Sequence, residues 1–99
     1  MQIQRSARAG TLESSDVLVE MIPGDQPMEL EIHSPVMSRY GEAIRQSALE
    51  FLHRAGVTKG LVRLEDRGAL DCTLNARLEA CLERAQTSDN ERSGECAEA

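Results

Sequence analysis

The spacing of hydrophobic and polar residues first predicts two strands. Residues 16–22, DVLVEMI, are apolar at both odd and even positions, which is typical of a largely buried strand. Residues 28–33, MELEIH, alternate strictly between apolar and polar, which is typical of a strand with one buried face. The segment between them, PGDQP, is rich in Pro and Gly and predicts a turn. Together these segments predict a β-hairpin.

Helical spacing begins after the second strand. Ser34 is a favoured N-cap residue, and Pro35 is favoured at the first helical position. The apolar residues that follow recur every three or four positions, at Tyr40, Ile44, Ala48 and Phe51. Gly56 is typical of the C-terminal end of a helix. The pattern predicts one helix over about residues 35–55.

The remainder of the chain predicts a further strand, a further helix and an edge strand. Residues 57–65, VTKGLVRLE, predict a strand. After a turn at residues 66–68, apolar side chains fall on one face of a helix, at Leu70, Leu74, Leu78, Cys81 and Ala85. Residues 2–9 alternate weakly and predict a short edge strand.

These elements predict the order β-β-β-α-β-α. That order is typical of the α+β class, here a small, mostly antiparallel sheet packed on two helices. The predicted domain spans residues 1–86. Residues 87–99 have almost no apolar content and no period, which predicts a disordered polar tail.

Composition narrows the class of protein. The chain has 99 residues, 40% of them hydrophobic, which suits one small soluble domain. Its net charge of −6 disfavours nucleic acid and anionic membranes as partners and favours a basic protein surface, although solubility alone also accounts for it. No apolar run approaches the ~20 residues of a membrane-spanning helix, and no signal peptide opens the chain. The three cysteines, Cys72, Cys81 and Cys96, match no common zinc spacing. We expect a cytoplasmic protein with free thiols.

No arrangement of residues predicts catalysis. The sequence contains neither a glycine-rich phosphate loop nor a nucleophile elbow. His33 falls on the polar face of a strand and His53 near a helix end, both of which are typical surface positions. Glu13 and Asp16 supply half of a metal site, but nothing supplies the other ligands. We therefore expect neither catalytic residues nor a bound metal.

One loop nevertheless carries potential chemistry. The segment AGTLESSD, residues 9–16, places the hydroxyls of Ser14 and Ser15 between Glu13 and Asp16. Such a run is typical of an ordinary turn before a strand. It also suits a hydroxyl that another enzyme modifies, because an acceptor needs exposure and small neighbours but no base of its own. These considerations alone do not distinguish the two serines.

This loop and residues 66–85, DRGALDCTLNARLEACLERA, resemble the acyl carrier protein, or gamma chain, of citrate lyase. The resemblance covers about residues 1–86 and implies an acyl carrier domain over that range. It further implies that Ser14 carries 2′-(5″-phosphoribosyl)-3′-dephospho-coenzyme A through a phosphodiester. Glycine is frequent in that family at the position of Ser15, so the resemblance implies no second attachment site there.

The resemblance also implies a mechanism and partners. The thiol of the prosthetic arm holds acetyl as a thioester, and an alpha chain exchanges acetyl for citrate and releases acetate. A beta chain then cleaves the citryl thioester to oxaloacetate and restores the acetyl thioester. A transferase attaches the arm. Glu13 and Asp16 are candidates for docking a basic surface of the transferase or the partner chains; alternatively, they only cap the turn.

Two other functions stay open at this point. The equivalent subunit of citramalate lyase uses a similar carrier, and the two differ in what the alpha and beta chains bind. The second is a non-carrier interaction module, in which ESSD is only a turn and the protein stays unmodified.

Overall fold

The computed structural model describes residues 2–34 and 37–86. Pro35 and the residues of the predicted tail, 87–99, lie outside the described residues. The elements follow in the predicted order, as β1 (Ala7–Ala9), β2 (Val17–Pro27), β3 (Glu29–His33), α1 (Met37–Ala55), β4 (Lys59–Asp66) and α2 (Asp71–Arg84). None of the described helices is long and apolar enough to cross a membrane.

The four strands form one mixed sheet in the order β1-β2-β4-β3. β2 pairs antiparallel with β1 and with β4, whereas β3 pairs parallel with β4. The predicted α+β class and the mostly antiparallel sheet are confirmed, with one parallel pair added. The predicted hairpin of residues 16–33 is wrong, because β4 lies between β2 and β3.

The segment PGDQP is part of a strand rather than a tight turn. β2 continues through it to Pro27, which pairs with Lys59, and the register shifts between Ile22 and Pro27. Proline has no backbone N–H to donate to a neighbouring strand. It is tolerated there because the pairing is irregular and does not require that hydrogen bond. β2 thus crosses the start of β4 before β3 runs back along the other side of β4. Parallel pairing of β3 with β4 needs a long crossover, which α1 supplies.

Both helices pack on the same face of the sheet, and the core lies between the helices and the sheet. Gly56, with φ of +79°, ends α1 in the left-handed conformation that glycine adopts without strain. The fully buried apolar side chains come from β2, β4, both helices and the C-cap of α2: Val17, Val19, Met21, Val62, Leu64, Ala48, Leu52, Leu78, Cys81 and Ala85. The faces predicted from periodicity for β3 and β4 are confirmed, as is the buried face of α2 at Leu74, Leu78, Cys81 and Ala85. The placement of Leu70 on that buried face is wrong: it precedes α2 as the N-cap residue and is exposed, because the helix begins only at Asp71.

The opposite face of the sheet carries a row of alternating charges. Arg8 pairs with Glu20 at 3.3 Å, Glu20 with Arg63 at 3.8 Å, and Arg63 with Glu31 at 3.3 Å. The four residues occupy one register position on the four strands. Since the charges neutralise one another and are partly exposed, each pair adds little to stability.

Cys72 and Cys81 differ in burial and therefore in expected reactivity. Cys81 is buried, its Sγ donates to the carbonyl oxygen of Ala7 at 3.4 Å, and desolvation raises its pKa to about 12. Cys72 is exposed, and both thiols are free.

Because the thiolate is the reactive form, we expect an alkylating agent at about pH 8 to modify Cys72 and spare Cys81. Peptide mass mapping after labelling, with and without denaturant, measures this. Equal labelling of both in the folded protein would contradict it.

Candidate modification site

The serine loop, residues 10–16, connects β1 to β2 at one end of the sheet. Gly10 opens it with φ of +97°, in the left-handed region that favours glycine. A Cβ at this position would overlap the carbonyl oxygen of Val17, so the backbone comes this close only because the residue is glycine.

Asp16 organises the serine loop through hydrogen bonds on both carboxylate oxygens. Thr11 Oγ1 donates to Oδ2 at 2.7 Å, and the Val17 amide donates to Oδ1 at 2.7 Å. Arg77 of α2 donates from Nε to Oδ1 at 3.0 Å and from Nη2 to Oδ2 at 2.9 Å. This bidentate pair joins the loop to the helix layer, and such a planar fork fixes orientation as well as distance.

The electrostatics of Asp16 follow from these partners. The hydrogen bonds from Arg77, then those from Thr11 and Val17, hold the pKa of the Asp16 carboxyl well below its ordinary value of 3.8. The same pair raises the pKa of Arg77. Asp16 is therefore ionised throughout the physiological pH range, and its charge is used within the chain.

Arg77 is a site residue that the sequence analysis missed. It lies three residues after Leu74 and four before Cys81, so it falls beside the buried face of α2. Its position beside the apolar face of the helix could have marked Arg77, because a charged side chain that is partly buried needs an ion-pair or hydrogen-bond partner. The sequence did not identify that partner, since Asp16 is 61 positions away.

The two acidic residues of the serine loop occupy different environments. Asp16 is buried, and its internal bonds favour the capping alternative over docking for this residue. Glu13 is exposed, and only its backbone is tied into the loop: its amide donates to Thr11 Oγ1 at 3.1 Å, and its carbonyl oxygen accepts from the Asp16 amide at 3.1 Å. Of the two, Glu13 alone is exposed to solvent.

The two serines also differ. The side chain of Ser14 is exposed and makes no hydrogen bond to another described residue. Ser15 has φ of +67°, a left-handed conformation rare for residues other than Gly, Asn and Asp. Its amide donates to the carbonyl oxygen of Arg67 at 2.8 Å, which holds it in this conformation. Glycine would adopt this conformation without strain.

The turn between β4 and α2, residues 67–70, supports the serine loop from the other side. The Arg67 amide donates to the carbonyl oxygen of Asp16 at 2.9 Å, and a Cβ on Gly68 would lie 4.0 Å from the Cα of Ser15. This turn is itself fixed by buried Asp66, which accepts hydrogen bonds from Ser34 Oγ at 2.9 Å and the Ala69 amide at 3.0 Å. Ser14 thus lies in a loop that is fixed by its own hydrogen bonds and by those to the adjoining turn.

Within residues 2–34 and 37–86, no group of three or more His, Cys, Asp or Glu is placed to hold a metal ion. His33 and His53 are both exposed, at the positions that their patterns predicted. The arrangement offers an accessible hydroxyl on a fixed loop, and no side chain of the described residues forms a hydrogen bond to it.

Comparison with known proteins places this chain in a family. Residues 4–85 match the family model described as "Malonate decarboxylase delta subunit (MdcD)", an acyl carrier family. The citrate lyase acyl carrier protein of Enterobacter sp. (strain 638) is 48% identical over 85 residues, covering 86% of this chain and 88% of that protein. The protein of the same name from Yersinia enterocolitica is 51% identical over 86 residues, covering 86% and 89%. The chain belongs to the citrate lyase acyl carrier protein family.

A solved structure has the same fold. It is a Pseudomonas malonate decarboxylase hetero-tetramer in complex with malonate, and one of its chains aligns with a TM-score of 0.61 and 21% identity. The alignment covers 85% of this carrier and 87% of that chain.

Membership of the family confirms the predicted class of the protein. Its relatives are named acyl carrier proteins, which are non-catalytic subunits of citrate lyase. A carrier subunit of this kind works within a multi-subunit assembly and holds its acyl group on a prosthetic group. The carrier therefore needs an attachment point, and the serine loop is the candidate.

Acid is expected to release the serine loop of the carrier. The pKa of Asp16 is lower in the folded than in the unfolded chain, so its bonds stabilise the fold above about pH 4 and are lost as pH falls through the lowered pKa. We expect wild-type protein to melt several degrees above the Asp16→Asn variant at pH 7, and this difference to shrink below about pH 4. Thermal denaturation of both proteins between about pH 7 and pH 3 measures it. A difference that does not change with pH would contradict the assignment.

Proposed function

We propose that this carrier bears 2′-(5″-phosphoribosyl)-3′-dephospho-coenzyme A on Ser14 through a phosphodiester and works in the cytoplasm with the alpha and beta chains of citrate lyase. In this proposal the carrier domain spans residues 1–86, and residues 87–99 form a tail. The carrier has no catalytic residue of its own. The citrate lyase names of its relatives support citrate as the acid.

The observation that carries the proposal is the environment of the Ser14 hydroxyl. It is exposed and makes no hydrogen bond to another described residue, so attachment to it breaks no bond seen in the structure. The loop beneath it is fixed by the Asp16–Arg77 pair and by the backbone bonds of Ser15 and Asp16 to Arg67. The acceptor is therefore accessible and held in one place.

The neighbouring residues fit a group attached through phosphate. Arg67 is exposed and makes no ion pair with another described residue, so its guanidinium is available to a phosphate oxygen. Asp16 adds no free negative charge, because Arg77 neutralises it. Glu13 is an exposed anion beside Ser14, and we propose that it docks a basic surface of the transferase or the partner chains.

The contribution of the carrier is positional. When bound, the prosthetic group supplies the thiol on which acetyl and citryl groups are held as thioesters. The chain keeps the base of the arm at one point, so a tethered substrate reaches two active sites at a high effective concentration. No described residue is placed to activate the Ser14 hydroxyl, so the transferase must provide the base for attachment.

Intact mass of the carrier tests the proposal. The chain is expressed with the complete lyase assembly and the enzymes that make and attach the prosthetic group, and is then digested and mapped. We expect one added mass equal to the arm, on the peptide that contains Ser14. An unmodified chain, with the same enzymes shown to load a known carrier, would contradict the proposal and favour a non-carrier interaction module.

The choice between citrate and citramalate depends on the partner chains. A loaded carrier assembled with its own alpha and beta chains is supplied with each acid in turn. Formation of oxaloacetate from citrate supports the proposal, whereas turnover of citramalate alone would assign the carrier to citramalate lyase.

A further inference from the structure

Leu70 occupies a position that ordinarily carries a different kind of residue. It is the N-cap of α2, makes no side-chain hydrogen bond to the helix, and is 70% exposed. Ser, Thr, Asp and Asn are preferred at this position because they satisfy free amides of the first turn. A leucine here neither caps the helix nor joins the core, so local stability does not account for it.

A second exposed leucine lies in the serine loop. Leu12 is 51% exposed, although the loop around it is fixed by the bonds of Thr11 and Glu13. Besides these two, Leu49 on α1, at 37%, is the large hydrophobic residue most exposed among those described. The two most exposed leucines of the described chain therefore both lie in loops at the same end of the sheet.

The turn that ends at Leu70 packs against the serine loop, because Ser15 and Asp16 form backbone hydrogen bonds with Arg67. Leu12 precedes Ser14 by two residues, and Leu70 follows Gly68 by two residues. Gly68 approaches the backbone of Ser15, with 4.0 Å between its Cβ position and the Cα of Ser15. We define Leu12 and Leu70 as the leucine pair.

We propose that the leucine pair is the surface by which the transferase that attaches the prosthetic arm recognises this carrier, through an apolar patch beside its active site. This inference rests on the proposed attachment at Ser14. Attachment takes place at Ser14 Oγ itself, so the transferase must close around that atom and cover Leu12, two residues away, and the adjoining turn that ends at Leu70. Acyl chemistry takes place at the far end of the arm, where no such contact is required.

The charges near Ser14 agree with an apolar contact. Glu13 and Asp71 are exposed acids, Arg67 is an exposed base, and the charge of Asp16 is neutralised by Arg77. The immediate surface therefore carries little net charge, and hydrophobic burial supplies the contact that the charges do not. Glu13 then contributes a salt-dependent addition rather than the main attraction.

The experiment measures loading kinetics of the apo carrier with the transferase and the activated form of the arm, followed by intact mass. The variants are Leu12→Ser, Leu70→Ser and their combination, with Leu49→Ser as the matched control on α1. We expect each variant of the leucine pair to raise KM for the carrier roughly tenfold, and the combination to raise it further, with kcat little changed. Leu70→Met, which keeps the apolar surface, should load like wild type.

If Leu70 had a purely structural role, Leu70→Ser would lower the melting temperature of the carrier. A role in recognition predicts no such loss. Leu70→Ser introduces a good N-cap residue, so its melting temperature should equal or exceed that of wild type while its loading slows. Slow loading by a more stable variant supports a recognition role, because misfolding does not explain it.

Each alternative outcome overturns a defined part of the argument. Wild type loaded on Ser14, with unchanged KM in both leucine variants, overturns this inference and leaves the proposed function intact. Equal loss in Leu49→Ser also overturns it. Normal loading with weakened assembly onto the alpha and beta chains would assign the leucine pair to those chains instead. A wild-type chain that an active transferase fails to load overturns the proposed function, and this inference with it.

Discussion

The Ser14→Ala variant is expected to fold normally and to abolish citrate turnover by the assembled complex. Ser14 is exposed and forms no hydrogen bond to another described residue, so loss of its hydroxyl removes no contact that holds the fold. The same hydroxyl is the proposed attachment point, and without it the two active sites share no tethered substrate. Activity should therefore fall to background, and the melting temperature should change by no more than a few degrees.

Ser15→Gly is the matched control for this variant. It removes the neighbouring hydroxyl and, because Ser15 has φ of +67°, also relieves backbone strain. We expect full loading, full activity and a gain in stability of about 1 kcal/mol, the order of the cost of the left-handed conformation for a residue with a Cβ. Intact mass of each variant and activity of each assembled complex are the measurements. Normal turnover by an assembled Ser14→Ala complex, or added arm mass on that variant, would sink the assignment of Ser14.

Local periodicity was sufficient to predict most single elements of this fold. The four-residue spacing of Leu74 and Leu78 and the alternation of Val62 and Leu64 report which face is buried, and burial is what such patterns reflect. Gly56 likewise marked the end of α1, because few other residues adopt its conformation.

Strand pairing was not predictable in the same way. β2 and β3 are separated by Met28 alone, and adjacency in sequence favours a hairpin. The pairing was decided instead by β4, which comes after α1 and enters between them. A partner that arrives more than 30 residues later leaves no periodic signal in either strand.

At the candidate site too, features that depend on neighbouring residues in the sequence were predictable, whereas features that depend on contacts between distant residues were not. The sequence pointed to the serine loop and, by resemblance, predicted Ser14 as the attachment residue. It did not identify Arg77, which fixes Asp16 from another element, or the conformation that distinguishes Ser15 from Ser14. Both depend on contacts made after folding: the bidentate ion pair, and the bond from the Ser15 amide to Arg67.

Three glycine-to-alanine variants are expected to separate the cost of steric overlap from the cost of a left-handed backbone conformation. Gly24→Ala should cost least, because its new Cβ would meet only the flexible side chain of Gln26. Gly68 has φ of +94° and open space around its Cβ position, so Gly68→Ala should cost about 1–2 kcal/mol from conformation alone.

Gly10→Ala is expected to have the largest effect of the three, because it combines both penalties. Its φ of +97° disfavours any Cβ, and that Cβ would overlap the carbonyl oxygen of Val17, a backbone atom that cannot rotate away. We expect a loss of about 3 kcal/mol or more, a large fraction of the stability of a small domain. Urea denaturation of the three variants should order them as Gly24, Gly68 and Gly10, and loading of the still-folded Gly10→Ala protein should slow because the loop that presents Ser14 has shifted. A Gly10→Ala protein as stable as Gly24→Ala would show that the loop does not pass this close to Val17, and the geometry on which the site rests would then be wrong.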